Sequence, residues 1–171
     1  GNFKDAGLEY TGALKVLQMI FSYEYLWIQI RVKGGAYGCM CSFSDQGDSM
    51  FVTYRDPNLS ESYKVYDEAA DYVADFDADD RDMKKYIIGT IGSMDMPMEA
   101  VDMGARSFHA YFLGKTEADL QKVRDQVLSC TQEDIRALAP IVKAVVEAGN
   151  RCCIGNEEKI DQNKEYFDEV K

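Results

Sequence analysis

The fold is decided by the stretch Arg31-Val32-Lys33-Gly34-Gly35-Ala36-Tyr37-Gly38, in which two glycines separate apolar segments of different periodicity. Upstream, between Leu8 and Val32, apolar residues recur every three or four positions and also cover much of the remaining surface. This pattern predicts a deeply buried helix, and Gly34-Gly35 is typical of a helix end. The stretch therefore predicts a joint between a helix and a strand, with the Arg31 guanidinium and the Tyr37 phenol on its two sides.

The residues after the glycines alternate between the two faces of a strand. One face carries Tyr37, Cys39, Cys41 and Phe43. A polar turn at 45–48 follows, and residues 50–54 alternate again, so this region predicts a β-hairpin. Pro57 lacks the amide hydrogen that a ladder needs and ends the hairpin. Asn58, with Glu61 three residues later, predicts the start of the next helix.

The remainder of the chain is predicted to be mostly helical. Apolar stripes of helical period cover residues 63–73, 83–91 and 101–112. Further helices are expected to begin at the capping-box pairs Thr116/Asp119 and Thr131/Asp134, and Pro140 is expected to kink or restart the last of them before Gly149. The short apolar run Arg151 to Ile154 predicts a third strand, and Glu157 to Lys171 predicts a final surface helix.

These elements indicate an α+β fold in which helices pack on a small mixed or antiparallel sheet. A sheet this small usually recruits further strands, so we expect the sheet to be truncated on its N-terminal side, with the missing strands upstream of Gly1. The 171 residues, 46% of them hydrophobic, fit one domain spanning 1–171. An opening without Met or a signal-peptide pattern suggests a piece of a longer polypeptide.

Charge and cysteine content restrict the possible partners. The net charge is -11 and no Lys/Arg-rich run is present, so a nucleic acid backbone would be repelled and no nucleic-acid partner is expected. No uninterrupted apolar run approaches the roughly 20 residues that cross a bilayer, so no membrane association is expected. The five cysteines show no Cys-x-x-Cys spacing, which favours a reducing compartment and thiols that fill core space.

Few residues qualify as metal ligands. A catalytic zinc needs three protein ligands, and His109 is the single histidine, so we interpret it as a helix-surface or core-edge residue. The spacing of Cys39 and Cys41 with Cys152-Cys153 matches no structural zinc pattern. The acidic run 75–80 lacks the glycine and glutamate of a calcium loop, and Asp79 or Asp80 is expected to cap a helix. The methionines around Pro97 predict a flexible apolar contact surface.

Arg31 and Tyr37 have a simple interpretation when the residues are considered alone. The guanidinium could pair with a core carboxylate, and the phenol ring could pack at the start of a strand. From composition and spacing alone, that interpretation is favoured.

A resemblance to a known family reverses this preference. The segments Tyr25-Leu26-Trp27, Arg31, Gly34-Gly35-Ala36-Tyr37-Gly38 and Tyr54-Arg55-Asp56-Pro57-Asn58 closely resemble the last domain of presequence proteases, zinc peptidases of the pitrilysin and insulin-degrading enzyme superfamily. Beyond Leu59 the resemblance is one of helix order and length. It also favours helix for residues 28–32, whose alternating pattern is compatible with a strand.

In such proteases four homologous α+β domains close around a peptide chamber. The resemblance implies that the last domain supplies Arg31 to bind substrate backbone and Tyr37 to donate a hydrogen bond to the developing oxyanion. It implies that zinc is held by an inverted His-x-x-Glu-His motif in the N-terminal part of the full-length enzyme. That motif is missing from this chain. No cofactor is therefore expected in this chain, and the isolated piece is expected to be inactive.

The full-length protein is accordingly predicted to be a zinc metalloendopeptidase that degrades unstructured peptides. The expected partners are peptide substrates and the N-terminal half of the same polypeptide. The expected compartment is the cytoplasm, with an organelle matrix as the alternative. The alternative function is a non-catalytic scaffold or assembly subunit of the same superfamily, which would need neither Arg31 nor Tyr37.

Overall fold

A long helical segment forms the centre of the molecule. The computed structural model describes all 171 residues. After a 3-10 turn at Phe3–Ala6, helix α1 (Ala13–Ile20) continues without a break into two π-helical stretches, Phe21–Tyr25 and Trp27–Lys33. The predicted buried helix is confirmed, although it begins at Ala13 rather than near Leu8. The alternating residues 28–32 are helical, as the resemblance indicated.

The predicted hairpin follows the helical segment directly. Strand β1 (Gly38–Phe43) pairs antiparallel with β2 (Ser49–Tyr54), in a register that sets Gly38 opposite Tyr54 and Phe43 opposite Ser49. The inner face of the hairpin packs on α1 and its extension, and the Phe21 ring lies 5.8 Å from the Phe51 ring. The sheet contains these two strands only, with one isolated bridge between Asn2 and Asp48 at its end.

The rest of the chain is mostly helical, as predicted. The remaining helices are α2 (Leu59–Asp67), α3 (Ala69–Ala74), α4 (Asp80–Met94), α5 (Ala100–Phe112), α6 (Glu117–Leu128), α7 (Gln132–Arg136), α8 (Ala139–Glu147) and α9 (Glu157–Asp161), followed by a 3-10 turn at Lys164–Tyr166. Together with the antiparallel hairpin they give an α+β fold, which confirms the predicted class. No helix has the length and apolar character needed to cross a bilayer.

Side-chain caps fix several helix starts where the sequence predicted them. Complete capping boxes open α6 at Thr116 and α7 at Thr131. Asp79 accepts hydrogen bonds from two amides of the first turn of α4, as expected for a capping aspartate. Pro140 lies in the first turn of α8, where its missing amide hydrogen costs no hydrogen bond.

The core surrounds α1. This helix contacts α4, α6, α7 and β1, and α8 packs against α3. The largest fully buried side chains are those of Phe3, Phe21, Leu14, Leu17, Ile20, Leu26, Ile30, Ile135, Val16, Val73, Val127 and Val142. Seven of these twelve lie between Leu14 and Ile30, so the helical segment before the glycines forms the spine of the core.

Two predictions for the C-terminal segment are wrong. Residues Arg151 to Ile154 form no strand, because no strand lies beside them to accept their hydrogen bonds, and Ile154 is 97% exposed. The predicted surface helix Glu157 to Lys171 is helical only at Glu157–Asp161 and in the 3-10 turn, since Phe167 already has extended backbone angles. The predicted stripe of α5 forms a helix, but none of its residues is buried.

Candidate functional site

The glycine pair ends the helix through three backbone hydrogen bonds. The amides of Gly34, Gly35 and Ala36 donate to the carbonyl oxygens of Gln29, Arg31 and Ile30 at 3.1, 2.9 and 3.1 Å. Gly35 has a left-handed φ of 77°, which favours glycine. A Cβ atom at Gly34 would lie 2.5 Å from the Ile30 carbonyl oxygen, so only glycine fits there. The predicted helix stop is confirmed.

A second set of hydrogen bonds fixes this turn to the end of the hairpin. The Tyr37 amide donates to the carbonyl oxygens of both Tyr54 and Arg55, at 3.1 and 3.3 Å. The Asn58 side-chain amide donates to the Gly34 carbonyl oxygen at 2.5 Å. Asn58 occupies the N-cap position of α2, as predicted, but its side chain bonds the turn instead of the helix amides.

Asp56 holds the following turn in place. One carboxylate oxygen accepts a hydrogen bond from the Asn58 backbone amide at 2.9 Å, and the other accepts one from the Ser62 hydroxyl at 2.5 Å. The helix end, the hairpin end and the start of α2 are therefore joined by a continuous hydrogen-bond network. This network fixes the backbone on which Arg31 and Tyr37 stand.

Arg31 projects from the last turn of the helical segment onto an aromatic ring. The centre of its guanidinium lies 4.0 Å from the centroid of the Trp27 ring, a cation–π contact. It is exposed and makes no ion pair or hydrogen bond within the chain. Burial raises the pKa of the Cys39 thiol, and the positive charge of Arg31 opposes that shift. The pairing of Arg31 with a core carboxylate, the interpretation favoured by the residues alone, is wrong.

Tyr37 stands at the start of β1 with its ring 65% exposed. The ring packs edge-on against Tyr54, with 5.9 Å between centroids, and its hydroxyl has no hydrogen-bond partner within the chain. Arg31 and Tyr37 thus flank the turn with every donor of their polar groups free. Such a pair can bind carbonyl oxygens of an external ligand.

One nearby residue was missed as a site candidate. The Arg55 guanidinium lies 5.8 Å from the Tyr37 ring centroid and 5.4 Å from that of Tyr54. Arg55 has a φ of 49°, and it is the one non-glycine residue with a left-handed backbone. Arg55 lies between the last residue of β2 and the Asp56-Pro57 turn. Its place in this predicted turn is the feature of the sequence that could have identified it as a site residue. The Arg55 guanidinium therefore borders the Tyr37 ring.

The residues of this chain do not fit a zinc centre. No group of three or more His, Cys, Asp or Glu side chains comes together in ligand geometry. His109 lies exposed on α5, as a surface histidine would. All five cysteines are free; Cys41 and Cys130 are buried, whereas Cys152 is exposed, so the prediction that the thiols fill core space is wrong for Cys152.

Comparison with known proteins identifies this arrangement of helix, glycine turn and hairpin as a peptidase-related α+β domain. Residues 1–156 match the family model described as the PreP C-terminal domain. The chain belongs to this family, the C-terminal domain of presequence proteases.

Similar proteins include Protein HypA of Clostridium perfringens, 42% identical over all of this chain and 18% of its own length. Presequence protease 1, chloroplastic/mitochondrial, of Arabidopsis thaliana is 33% identical over all of this chain and 16% of its own length. The mitochondrial presequence protease of Aspergillus fumigatus is 34% identical over 86% of this chain and 14% of its own length. The chain thus spans less than a fifth of these relatives.

Proposed function

We propose that this chain is the C-terminal domain of a metalloendopeptidase that degrades unstructured peptides, and that it presents Arg31 and Tyr37 to the peptide. The observation that carries the proposal is the exposed, unpartnered pair on a rigidly bonded turn. The names of two relatives, both presequence proteases, support peptide cleavage as the activity of the full-length protein.

Tyr37 would act on the carbonyl of the bond that is cleaved. Negative charge develops on the carbonyl oxygen when a peptide bond is attacked, and a phenol that donates a hydrogen bond to that oxygen stabilises the charge. The Tyr37 hydroxyl is free to donate because it has no partner within the chain. The edge-on contact with Tyr54 limits movement of the ring, so the donor is held in place before the ligand arrives.

Arg31 would bind the neighbouring backbone of the same peptide. Its planar guanidinium offers several donors in a fixed fork, which suits peptide carbonyl oxygens. The Trp27 ring beneath it, 4.0 Å away, orients this fork without using any of its donors. A lysine at the same position would supply one charge but not the fork.

The metal would be carried elsewhere in the polypeptide. Since no residues of this chain fit a zinc site, the role proposed here is limited to substrate binding and oxyanion stabilisation. Closure of a peptide chamber by this domain against the N-terminal half is part of the same proposal. For the compartment, the names of the Arabidopsis and Aspergillus relatives fit an organelle matrix, which is the alternative to the cytoplasm.

Replacement of Tyr37 in the full-length protein tests the proposal. Tyr37→Phe removes one oxyanion donor and is expected to lower kcat for an unstructured peptide roughly 100- to 1,000-fold. Because the side chain is exposed, the thermal unfolding midpoint should stay unchanged. Steady-state cleavage of a fluorogenic peptide measures the effect.

Tyr54→Phe is the matched control, since Tyr54 is a half-exposed tyrosine packed against Tyr37 and has no proposed hydrogen-bond role. It should leave kcat within about twofold of the parent. Arg31→Lys is a companion variant that should lower kcat/KM roughly tenfold or more. Unchanged cleavage by Tyr37→Phe and Arg31→Lys would contradict the proposal and favour the scaffold function.

A further inference from the structure

A cleft of about 730 Å³ lies at the N-terminal half of the central helix. Its walls come from α1, α4, the hairpin turn, α5 and α6. This volume falls within the range of roughly 300–1,000 Å³ that is typical of small-molecule sites. None of the residues proposed to bind the peptide lines it.

The charges inside this cleft differ in sign from those of the chain as a whole. Lys15, Arg106 and Lys115 line it, and Asp45 is its single carboxylate. Asp45 is already engaged, because the Lys115 ammonium donates a hydrogen bond to it. The chain carries a net charge of -11, yet the cleft retains two cations with no carboxylate within ion-pair distance.

Lys15 is the less solvated of these two cations. Burial lowers the pKa of its ammonium group below the ordinary value; Asp45 opposes the shift, and the positive charges of Arg106 and Lys115 add to it. The Lys15 ammonium makes no hydrogen bond within the chain, and neither Lys15 nor Arg106 forms an ion pair. Two cations therefore line the same cleft, Lys15 partly buried and Arg106 exposed, and an anion placed between them would accept hydrogen bonds from both.

Five of the other lining residues are apolar: Met19, Phe43, Met94, Leu120 and Val123. The remaining six carry hydroxyl or amide groups: Tyr10, Gln18, Ser22, Tyr23, Thr90 and Ser93. Two of the apolar residues are methionines, whose flexible side chains adapt to ligands of different shape. The cleft thus offers both cations and apolar side chains, a combination that suits a ligand with an anionic head and an apolar body.

We propose that this cleft binds a small organic carboxylate, with the carboxylate between Lys15 and Arg106 and the apolar body against Met19 and Met94. The head group would accept charge-assisted hydrogen bonds from the ammonium and the guanidinium. This inference is independent of the function proposed for Arg31 and Tyr37, since the two sites share no residue.

Isothermal titration of the full-length protein with two matched probes tests this inference. The probes are 4-phenylbutyrate and its neutral amide, 4-phenylbutyramide, which share the same apolar body. The acid is expected to bind roughly 10- to 100-fold more tightly, the usual gain from hydrogen bonds to a charged group. In the double variant Lys15→Met/Arg106→Met this preference should fall to about twofold or less, because no cation remains free.

Two further variants separate the loss of charge from a loss of folding. Lys15→Arg keeps the charge and should keep the preference for the acid. Lys122→Met removes an exposed lysine of α6 that lies outside the cleft, and it should also keep the preference. Equal affinity for the two probes, a preference that survives in a folded double variant, or no saturable binding of the acid would overturn the inference.

Discussion

Helix α1 and helix α5 have the same apolar periodicity in the sequence but opposite environments in the structure. Five of the eight residues of α1 are buried, and α4, α6, α7 and β1 surround it. None of the thirteen residues of α5 is buried; Phe108 and Phe112 are 66% and 68% exposed. The comparison shows that an apolar stripe of helical period predicts which face of a helix can pack. It does not predict whether this chain contains a surface that packs against that face.

The exposed aromatic residues at the glycine turn and those of α5 also differ in how firmly the structure around them is held. Tyr37 and Trp27 lie beside the glycine turn. The Asn58 side chain bonds the Gly34 carbonyl of this turn, and Asp56 in turn bonds the Asn58 backbone amide. In α5, the Phe112 ring contacts the rings of Phe108 and Tyr111, with centroid distances of 4.5 and 5.8 Å. Exposure on a rigid support is what a binding site requires, and the helix–hairpin joint provides that support.

The largest expected effect contrasts a core phenylalanine with an exposed one. Phe21→Ala removes a ring packed against Tyr25, Phe43, Phe51 and Tyr72 and should destabilise the fold by about 3–5 kcal/mol. Phe108→Ala should change stability by less than about 0.5 kcal/mol, because its ring is largely exposed. Urea unfolding of both variants measures the difference. Similar losses in both would show that α5 is packed in solution and would break the comparison.

A smaller effect concerns the starts of α6 and α5. Thr116→Ala removes the capping box of α6 and should cost about 1 kcal/mol of unfolding free energy. Glu99, at the N-cap position of α5, makes no side-chain cap hydrogen bond, so Glu99→Ala should cost less than about 0.5 kcal/mol. Thermal or urea unfolding distinguishes the two. A larger loss in Glu99→Ala would mean that α5 depends on its first turn more than its geometry indicates.

Much of the fold could be predicted from the sequence because helix caps, helix ends and the hairpin depend on residues close together in the chain. Thr116, Thr131 and Asp79 cap helices as their spacing indicated, and Gly35 adopts the left-handed turn expected at a helix end. The hairpin followed from its alternating residues. These features depend on neighbours a few residues away, so the sequence contains the information.

The wrong predictions depend on distant partners. Residues 151–154 are apolar enough for a strand, but a strand exists only beside another strand, and none lies there. The final helix was predicted over Glu157 to Lys171, but α9 ends at Asp161, and Phe167 packs against the Tyr63 ring from extended backbone instead of from a helix. Periodicity alone gives no indication of such absences.

The candidate site was chosen partly from the sequence. Arg31 and Tyr37 were proposed as site residues through the resemblance, since their spacing alone favoured packing, and their roles stay predictions. The stacking of Arg31 on Trp27 and the position of Arg55 beside Tyr37 required coordinates, because both depend on how the helix end meets the hairpin end. The cleft around Lys15 was also missed, because its lining residues come from distant parts of the chain.

Photo-cross-linking of a bound peptide tests the central claim most directly. The full-length protein would carry p-benzoylphenylalanine in place of Tyr37 in one variant and in place of Phe108 in another, since both side chains are largely exposed. After irradiation with a labelled unstructured peptide, mass spectrometry would locate the adducts. We predict a peptide adduct at position 37 and none above background at position 108. No adduct at position 37, or equal adducts at both positions, would contradict the claim.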